Sequence, residues 1–330
     1  MAASILRWSR TPRALAGLGL AFLFAGLTAF TVSSRHATAA ELTPSEQKLK
    51  AMLGDDTPDP LPLWPDKPPR FLDDAPPEEI VEPGRIRRVS RPSISVYRPP
   101  KAKAPCRAII VCPGGGYGSL DWKMHVVYAA RVFNPLGMAV IGLKYRLSPP
   151  YPVDRVTIQA VTLLDAQRAV RLVRHRAREW NLDPHAIGIA GYSAGANLAM
   201  NLAANFDRGD PTAADPIDRE SCRPDFAVGL ATWHWRERRS PFDFRADGPP
   251  VFLVHATNDG IHGGAPIAMP LEIKARLEKL GVPVHMEIFD QGAHGVGNLV
   301  PQRVEHGFPP AKWPELLLKW LAGLPAAARD

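Results

Sequence analysis

The chain has 330 residues, with 40 basic and 33 acidic side chains, a net charge of +7 and 45% hydrophobic residues. Four arginines and no acid fall within residues 1–40, so the rest of the chain carries a net charge of only +3. That balance argues against a basic nucleic-acid-binding surface, and the apolar content argues against a chain too polar to bury a core.

In chain order, residues 1–40 place Arg7, Arg10 and Arg13 ahead of an apolar run from Ala14 to Val32, followed by Ala37-Thr38-Ala39-Ala40. A charged start, an apolar middle and a small-residue site make a secretory signal peptide. The apolar run is also long enough to serve as a membrane-anchoring helix, at roughly 19 residues. Gly17, Gly19 and Gly26 weaken that alternative, and the Ala-Thr-Ala site favours cleavage. The expectation is an exported protein, secreted or periplasmic, touching a membrane only if the segment is retained.

Residues 41–84 are rich in proline and acid, with no helical or strand period over most of their length. They read as an extended segment wrapped on the body or partly disordered. From residue 85 to 330 the pattern is that of one α/β domain. Strand-like runs recur at 93–97, 108–112, 139–143, 186–190, 226–232, 251–255 and 284–289. Helical segments lie between most of them, chiefly at 154–180, 194–206, 270–280 and 313–321. Such alternation builds a mostly parallel sheet with helices on both faces. Cys106 and Cys112 lie six apart on one extended segment, too far to bond each other, so one bridge to Cys222 is the most the sequence permits. Buried free thiols are the simpler reading. No metal-ligand spacing is present, and neither metal nor cofactor is expected.

Gly191-Tyr192-Ser193-Ala194-Gly195 joins the apolar run 186–190 to the helix that starts at residue 194. A serine at the tip of a sharp strand-to-helix turn is the nucleophile elbow of α/β-hydrolases, and side chains at Gly191 or Gly195 would crowd that turn. A serine hydroxyl needs a base and an orienting acid. Asp259 follows the run 250–256, and His294 stands in Gln291-Gly292-Ala293-His294-Gly295 after the run 282–290. Both loops open at the carboxyl edge of a parallel sheet, in the chain order Ser, Asp, His. Ser193 is assigned as nucleophile, His294 as base and Asp259 as the acid that fixes the imidazole tautomer. Upstream, the run 108–112 enters Pro113-Gly114-Gly115-Gly116-Tyr117, whose backbone N–H groups suit an oxyanion hole. Gly115, Gly116 and Ala194 are assigned as its donors.

Leu63-Trp64-Pro65, Arg91-Pro92-Ser93, Pro113 to Tyr117, Lys144-Tyr145-Arg146-Leu147, Asp165 to Ala169, Gly191 to Gly195 with Asn197-Leu198-Ala199, and Gly292 to Gly295 together carry a resemblance. The chain resembles the secreted carbohydrate-esterase branch of the α/β-hydrolases known as acetyl xylan esterase or xylanase B-like proteins. It departs from that pattern after the acid, where Gly260-Ile261-His262 replaces the usual Val-Pro pair, and after Gly195, where Ala196-Asn197 stands in place of glycine. The resemblance implies a serine esterase that removes a small acyl group, acetyl above all, from decorated plant polysaccharides or oligosaccharides.

Other residues compete for roles. Tyr117, Trp122, Trp233 and His234 are the expected substrate-facing set; packing is the alternative for the aromatic members. Asp165, Arg168 and Arg171 at helical spacing read as a helix surface or a structural ion pair. His255 and His262 are lesser candidates for the base, and Asp290 is the rival acid. Two other functions share the pattern, a peptidase of related fold and a catalytically silent carbohydrate-binding homologue. The complete set of nucleophile, acid, base and glycine loop argues against the second. The first usually carries a large extra domain, for which this chain has no room.

Overall fold

Apolar runs separated by helices fold into a central sheet because strands buried on both faces need a helical layer on each side. The computed structural model describes residues 42–54, 57–81, 84–100, 104–152, 155–233, 242–260 and 264–325, all within the unit Leu42–Asp330. In chain order the elements are α1 (Pro44–Leu53), β1 (Leu61–Pro62), β2 (Glu79–Val81), β3 (Arg85–Arg87), β4 (Ser93–Tyr97), β5 (Cys106–Cys112) and β6 (Leu120–Asp121). A π turn, Lys123–Val127, runs into α2 (Tyr128–Phe133), followed by β7 (Ala139–Lys144), α3 (Arg155–His175), β8 (Leu182–Tyr192) and α4 (Ala194–Ala204). The chain continues through β9 (Phe226–Leu230), β10 (Val251–Ala256), α5 (Ala268–Lys279), β11 (Val284–Phe289), α6 (Pro301–Glu305) and α7 (Trp313–Gly323).

Eight strands form the main sheet in the order β1-β4-β7-β5-β8-β9-β10-β11. The strands from β7 to β11 in that order pair in parallel, and β4 and β1 close one edge antiparallel. The order reverses at β5, which has β7 on one side and β8 on the other. A crevice opens at such a switch point, beyond the carboxyl ends of the strands. This is the α/β-hydrolase architecture expected from the sequence. Every residue of β7, β9 and β10 is buried, whereas β11 at the far edge is only half covered.

Two differences from the sequence expectations have physical causes. The segment 41–84 is not simply extended, because α1 forms inside it. Thr43 and Glu46 make a reciprocal capping box, with the Glu46 N–H donating to Thr43 Oγ1 at 3.4 Å and the Thr43 N–H to Glu46 Oε2 at 3.0 Å. Pro44 sits in the first turn, where no N–H is needed. The second difference is the π turn and α2, whose short length leaves too few turns for a readable period.

Buried charge ties the N-terminal segment down. Lys144 Nζ lies 3.2 Å from Glu46 Oε1 and 2.9 Å from Glu78 Oε2. Arg146 and Asp165, both wholly buried, pair at 2.7 Å, and Arg146 Nη1 donates to the Pro69 carbonyl at 2.5 Å. Arg168 pairs with Asp215 and Asp218 and donates to the Leu63 carbonyl, while Arg171 pairs with Asp207. Asp165, Arg168 and Arg171 are therefore occupied by structural ion pairs. All three cysteines are free thiols, with Cys112 and Cys222 buried.

Candidate active site

Ser193 connects β8 to α4 at φ 53° and ψ −115°, a strained conformation for a residue with a side chain. Its N–H donates to the Leu230 carbonyl at 2.9 Å, which pins the turn against the end of β9. The flanking glycines are sterically required. A Cβ on Gly191 would collide with the Gly195 carbonyl, and one on Gly195 with the Cys112 carbonyl. The sequence thus lets the first turn of α4 drop onto the end of β5, beside the glycine loop.

The loops after β10 and β11 bring the other two side chains to the serine. His294 Nε2 lies 2.8 Å from Ser193 Oγ, and His294 Nδ1 lies 3.1 and 3.0 Å from the two oxygens of Asp259. A carboxylate only accepts, so Nδ1 carries the ring proton and Nε2 is left as acceptor for the serine hydroxyl. Exposure is graded along this chain: the Asp259 side chain is 0% exposed and that of His294 41%. The Ala265 N–H also donates to Asp259 Oδ1, at 3.0 Å. A Cβ on Gly264 would strike that oxygen, so the return of the loop requires glycine there. Asn258 Oδ1 accepts the Ala293 N–H at 2.9 Å and fixes the turn that presents His294.

The loop after β5 faces the same point. A Cβ on Gly114 would lie 3.4 Å from the Ser193 Cβ. The Gly114 N–H is engaged by His125 Nδ1 at 3.0 Å. Gly115 and Gly116 hold φ of 139° and 63°, and their N–H groups make no hydrogen bond among the described residues. Ala194 opens α4, where an N–H has no partner one turn back. Unengaged backbone N–H groups of this kind can receive a developing negative charge.

The expected substrate-facing residues divide. Tyr117 is fully buried, and its hydroxyl donates to Asn197 Oδ1 at 2.8 Å, so it anchors the glycine loop from inside. Trp122 is 2% exposed and packs over Gly142, where a Cβ would come within 2.6 Å of its ring. Burial removes both from contact with a substrate, and those two expectations are corrected. Trp233 is half-buried against the core, its carbonyl accepting from Asn197 Nδ2 at 3.2 Å. His234 and His262 lie outside the described residues.

His255 is not a base. Its ring is buried, its Nε2 donates to the Ala265 carbonyl at 2.9 Å, and burial holds its pKa below the usual histidine value. It braces the acid loop instead, 3.7 Å from Asp259 Oδ2. Asp290 is exposed and makes no bond to His294. Sequence reasoning missed the roles of His125, Asn197, Asn258, Gly264 and Asn298. Only Gly264 carried a local signal, as a glycine close behind the acid. Among the described residues no three His, Cys, Asp or Glu side chains converge as a metal-binding group.

Residues 94–219 match the family described as BD-FAE. An acetylxylan esterase of Xylanibacter ruminicola is 37% identical over 97 residues, which is 29% of this chain and 19% of that protein. An endo-1,4-beta-xylanase B of Butyrivibrio fibrisolvens is 33% identical over 214 residues, 57% of this chain and 32% of that one. The chain therefore matches less than a third of the length of these curated relatives. Among solved structures, the acetyl ester-xyloside bifunctional hydrolase from Caldicellulosiruptor lactoaceticus is similar with a TM-score of 0.63 at 28% identity, covering 80% of this chain and 95% of that one. The apo form of Thermogutta terrifontis esterase 2 has a TM-score of 0.57 at 22% identity, over 80% of this chain and 98% of its own, a likeness of fold.

Proposed function

We propose, from the α/β-hydrolase fold and the BD-FAE match across residues 94–219, that the chain is a serine esterase removing acetyl groups from decorated plant polysaccharides or their oligomers. The observation that carries the reading is the unbroken hydrogen-bond chain from Ser193 through His294 to a buried Asp259. Ser193 Oγ attacks the acyl carbonyl carbon as its proton passes to His294 Nε2. The carbonyl oxygen becomes an oxyanion facing the N–H groups of Gly115, Gly116 and Ala194. Collapse of this intermediate breaks the ester C–O bond, and His294 returns the proton to the departing sugar hydroxyl. Water then attacks the acyl-serine by the same path, with His294 as base, and acetate leaves. Asp259 holds the imidazolium in place.

The acetyl and carbohydrate parts rest on the relatives named for acetylxylan and acetyl ester-xyloside chemistry. Export rests on residues 1–40, which lie outside the described residues; the exported protein should begin near Ala40 or Glu41 by mass spectrometry. The substrate is tested by acetate release from acetylated xylan, pectin and mannan fragments, beside p-nitrophenyl acetate and a chromogenic peptide. Release from the polysaccharide fragments supports the reading. Turnover of the peptide alone, or of none of them, overturns it.

A further inference from the structure

His125 lies outside the catalytic chain, yet it touches the glycine loop, the serine elbow and the loop that carries His294. We infer that His125 is a positioning residue: its neutral imidazole locks the glycine loop, the serine elbow and the His294 loop into one register. The inference rests on the esterase reading and deepens it.

The local structure is built for this. His125 occupies the π turn Lys123–Val127, a widened turn of the kind that concentrates at functional sites. Its ring is buried and stacks on Tyr192, the residue before the nucleophile, with centroids 4.1 Å apart and planes 17° apart. Nδ1 accepts the Gly114 N–H at 3.0 Å. A backbone amide only donates, so Nδ1 bears no hydrogen, and the ring proton resides on Nε2. That nitrogen donates to Asn298 Oδ1 at 3.2 Å, four residues past His294. One ring thus joins three loops that arrive from different strands.

The neutral form is required. A second ring proton would set Nδ1–H against the Gly114 N–H, donor facing donor. Burial pushes the His125 pKa down to about 4; Asp121 and the Asn298 bond pull it up, and His294 and Arg85 push it further down. The bond to Gly114 has a second consequence. It fixes the glycine loop so that Gly115 and Gly116, whose N–H groups have no partner among the described residues, carry the donors toward the oxyanion. Loss of the imidazole would leave the Gly114 N–H unpaired in the interior and free the loop to shift. Donors that act on charge present only in the transition state alter kcat while leaving substrate binding largely unchanged.

The test compares His125→Phe, which keeps the stacked ring and loses both hydrogen bonds, with His125→Gln, which restores an acceptor and a donor. Val126→Ala, at a buried position on the same turn, is the control for loosened packing. On p-nitrophenyl acetate, kcat of the Phe variant should fall roughly 10- to 100-fold with KM within about threefold of wild type. The Gln variant should recover most of the loss, and Val126→Ala should keep wild-type kcat while melting earlier. Should the Phe variant fail to fold, Asn298→Ala removes only the outer link and should lower kcat less, again at constant KM. The inference is overturned if neither His125→Phe nor Asn298→Ala lowers kcat, if Gln rescues nothing, or if Val126→Ala loses kcat equally. Absence of turnover by the wild-type protein would instead overturn the esterase reading.

Discussion

Two regions of this molecule bury polar groups in opposite ways. At the carboxyl rim of β8, β10 and β11, burial falls off in steps from Asp259 to His294, whose ring is 41% exposed and still reaches the serine. Around Lys144 and Arg146 the cations are closed off: the Lys144 side chain is 7% exposed, and Arg146 and its partner Asp165 are not exposed at all. The rim leaves Ser193 and the ring edge of His294 partly open to solvent. The clamp leaves nothing unmatched, because each cation meets carboxylates or carbonyls from the segment it holds. Depth alone does not mark a functional site. A graded path from dry to wet does, since a proton relay needs a fixed inner end and an outer end that substrate can reach.

The contrast makes predictions that separate activity from stability. The largest effect belongs to the rim. Ser193→Ala should lower kcat on the order of 10⁵- to 10⁶-fold with the fold intact, measured by steady-state turnover beside circular dichroism. Retention of a tenth of the activity would remove Ser193 from the reaction. The clamp should behave in the reverse way. Lys144→Met strips the cation from Glu46 and Glu78 and should cost about 3–5 kcal/mol in urea unfolding, because two half-enclosed carboxylates lose their partner. The kcat of its folded fraction should equal that of the wild type. A catalytic defect with unchanged stability would mean that the two regions are not separate.

A smaller effect comes from His125, which belongs to the rim by position and resembles the clamp in burial. Its pKa is about 4 in the folded protein and about 6.5 in an unfolded chain, so below pH 6.5 the unfolded state binds the proton and the folded state does not. Stability should therefore fall as pH drops from about 6.5 toward about 4, by about 2–3 kcal/mol from this group. Burial lowers the His255 pKa as well, and its contribution runs in the same direction. Urea unfolding at pH 7 and pH 4.5 checks the sign. His125→Gln should lose less stability on acidification than the wild type, and an equal loss would contradict the buried neutral ring.

The rim was legible in the sequence for a specific reason. Ser193, Asp259 and His294 each follow an apolar run directly, within a turn that contains glycine, and a parallel sheet gathers all such turns at one edge. The clamp was less legible, since its partners lie tens of residues apart and obey no period. The Thr43-x-x-Glu46 capping box was present to be read, but the surrounding prolines hid the helix behind it. Tyr117 and Trp122 show where proximity in sequence misleads. Both follow the glycine loop closely, yet Tyr117 turns inward at φ 61° to reach Asn197, and Trp122 fills the space left by Gly142 on β7. A glycine inside a buried strand does signal close approach by something large. Nothing in the sequence says that the large group is Trp122. His125 was hidden for a related reason: a π turn has no signature in apolar spacing, and its two partners are a backbone N–H and a distant asparagine.

The central claim is that the hydroxyl of Ser193 is activated by His294, and covalent trapping tests it most directly. Intact-protein and peptide mass spectrometry after treatment with a fluorophosphonate should show one adduct per chain, on the peptide containing Ser193. It should be absent in Ser193→Ala and form far more slowly in His294→Ala. An adduct on another residue, or esterase turnover that survives full labelling of Ser193, would contradict the account.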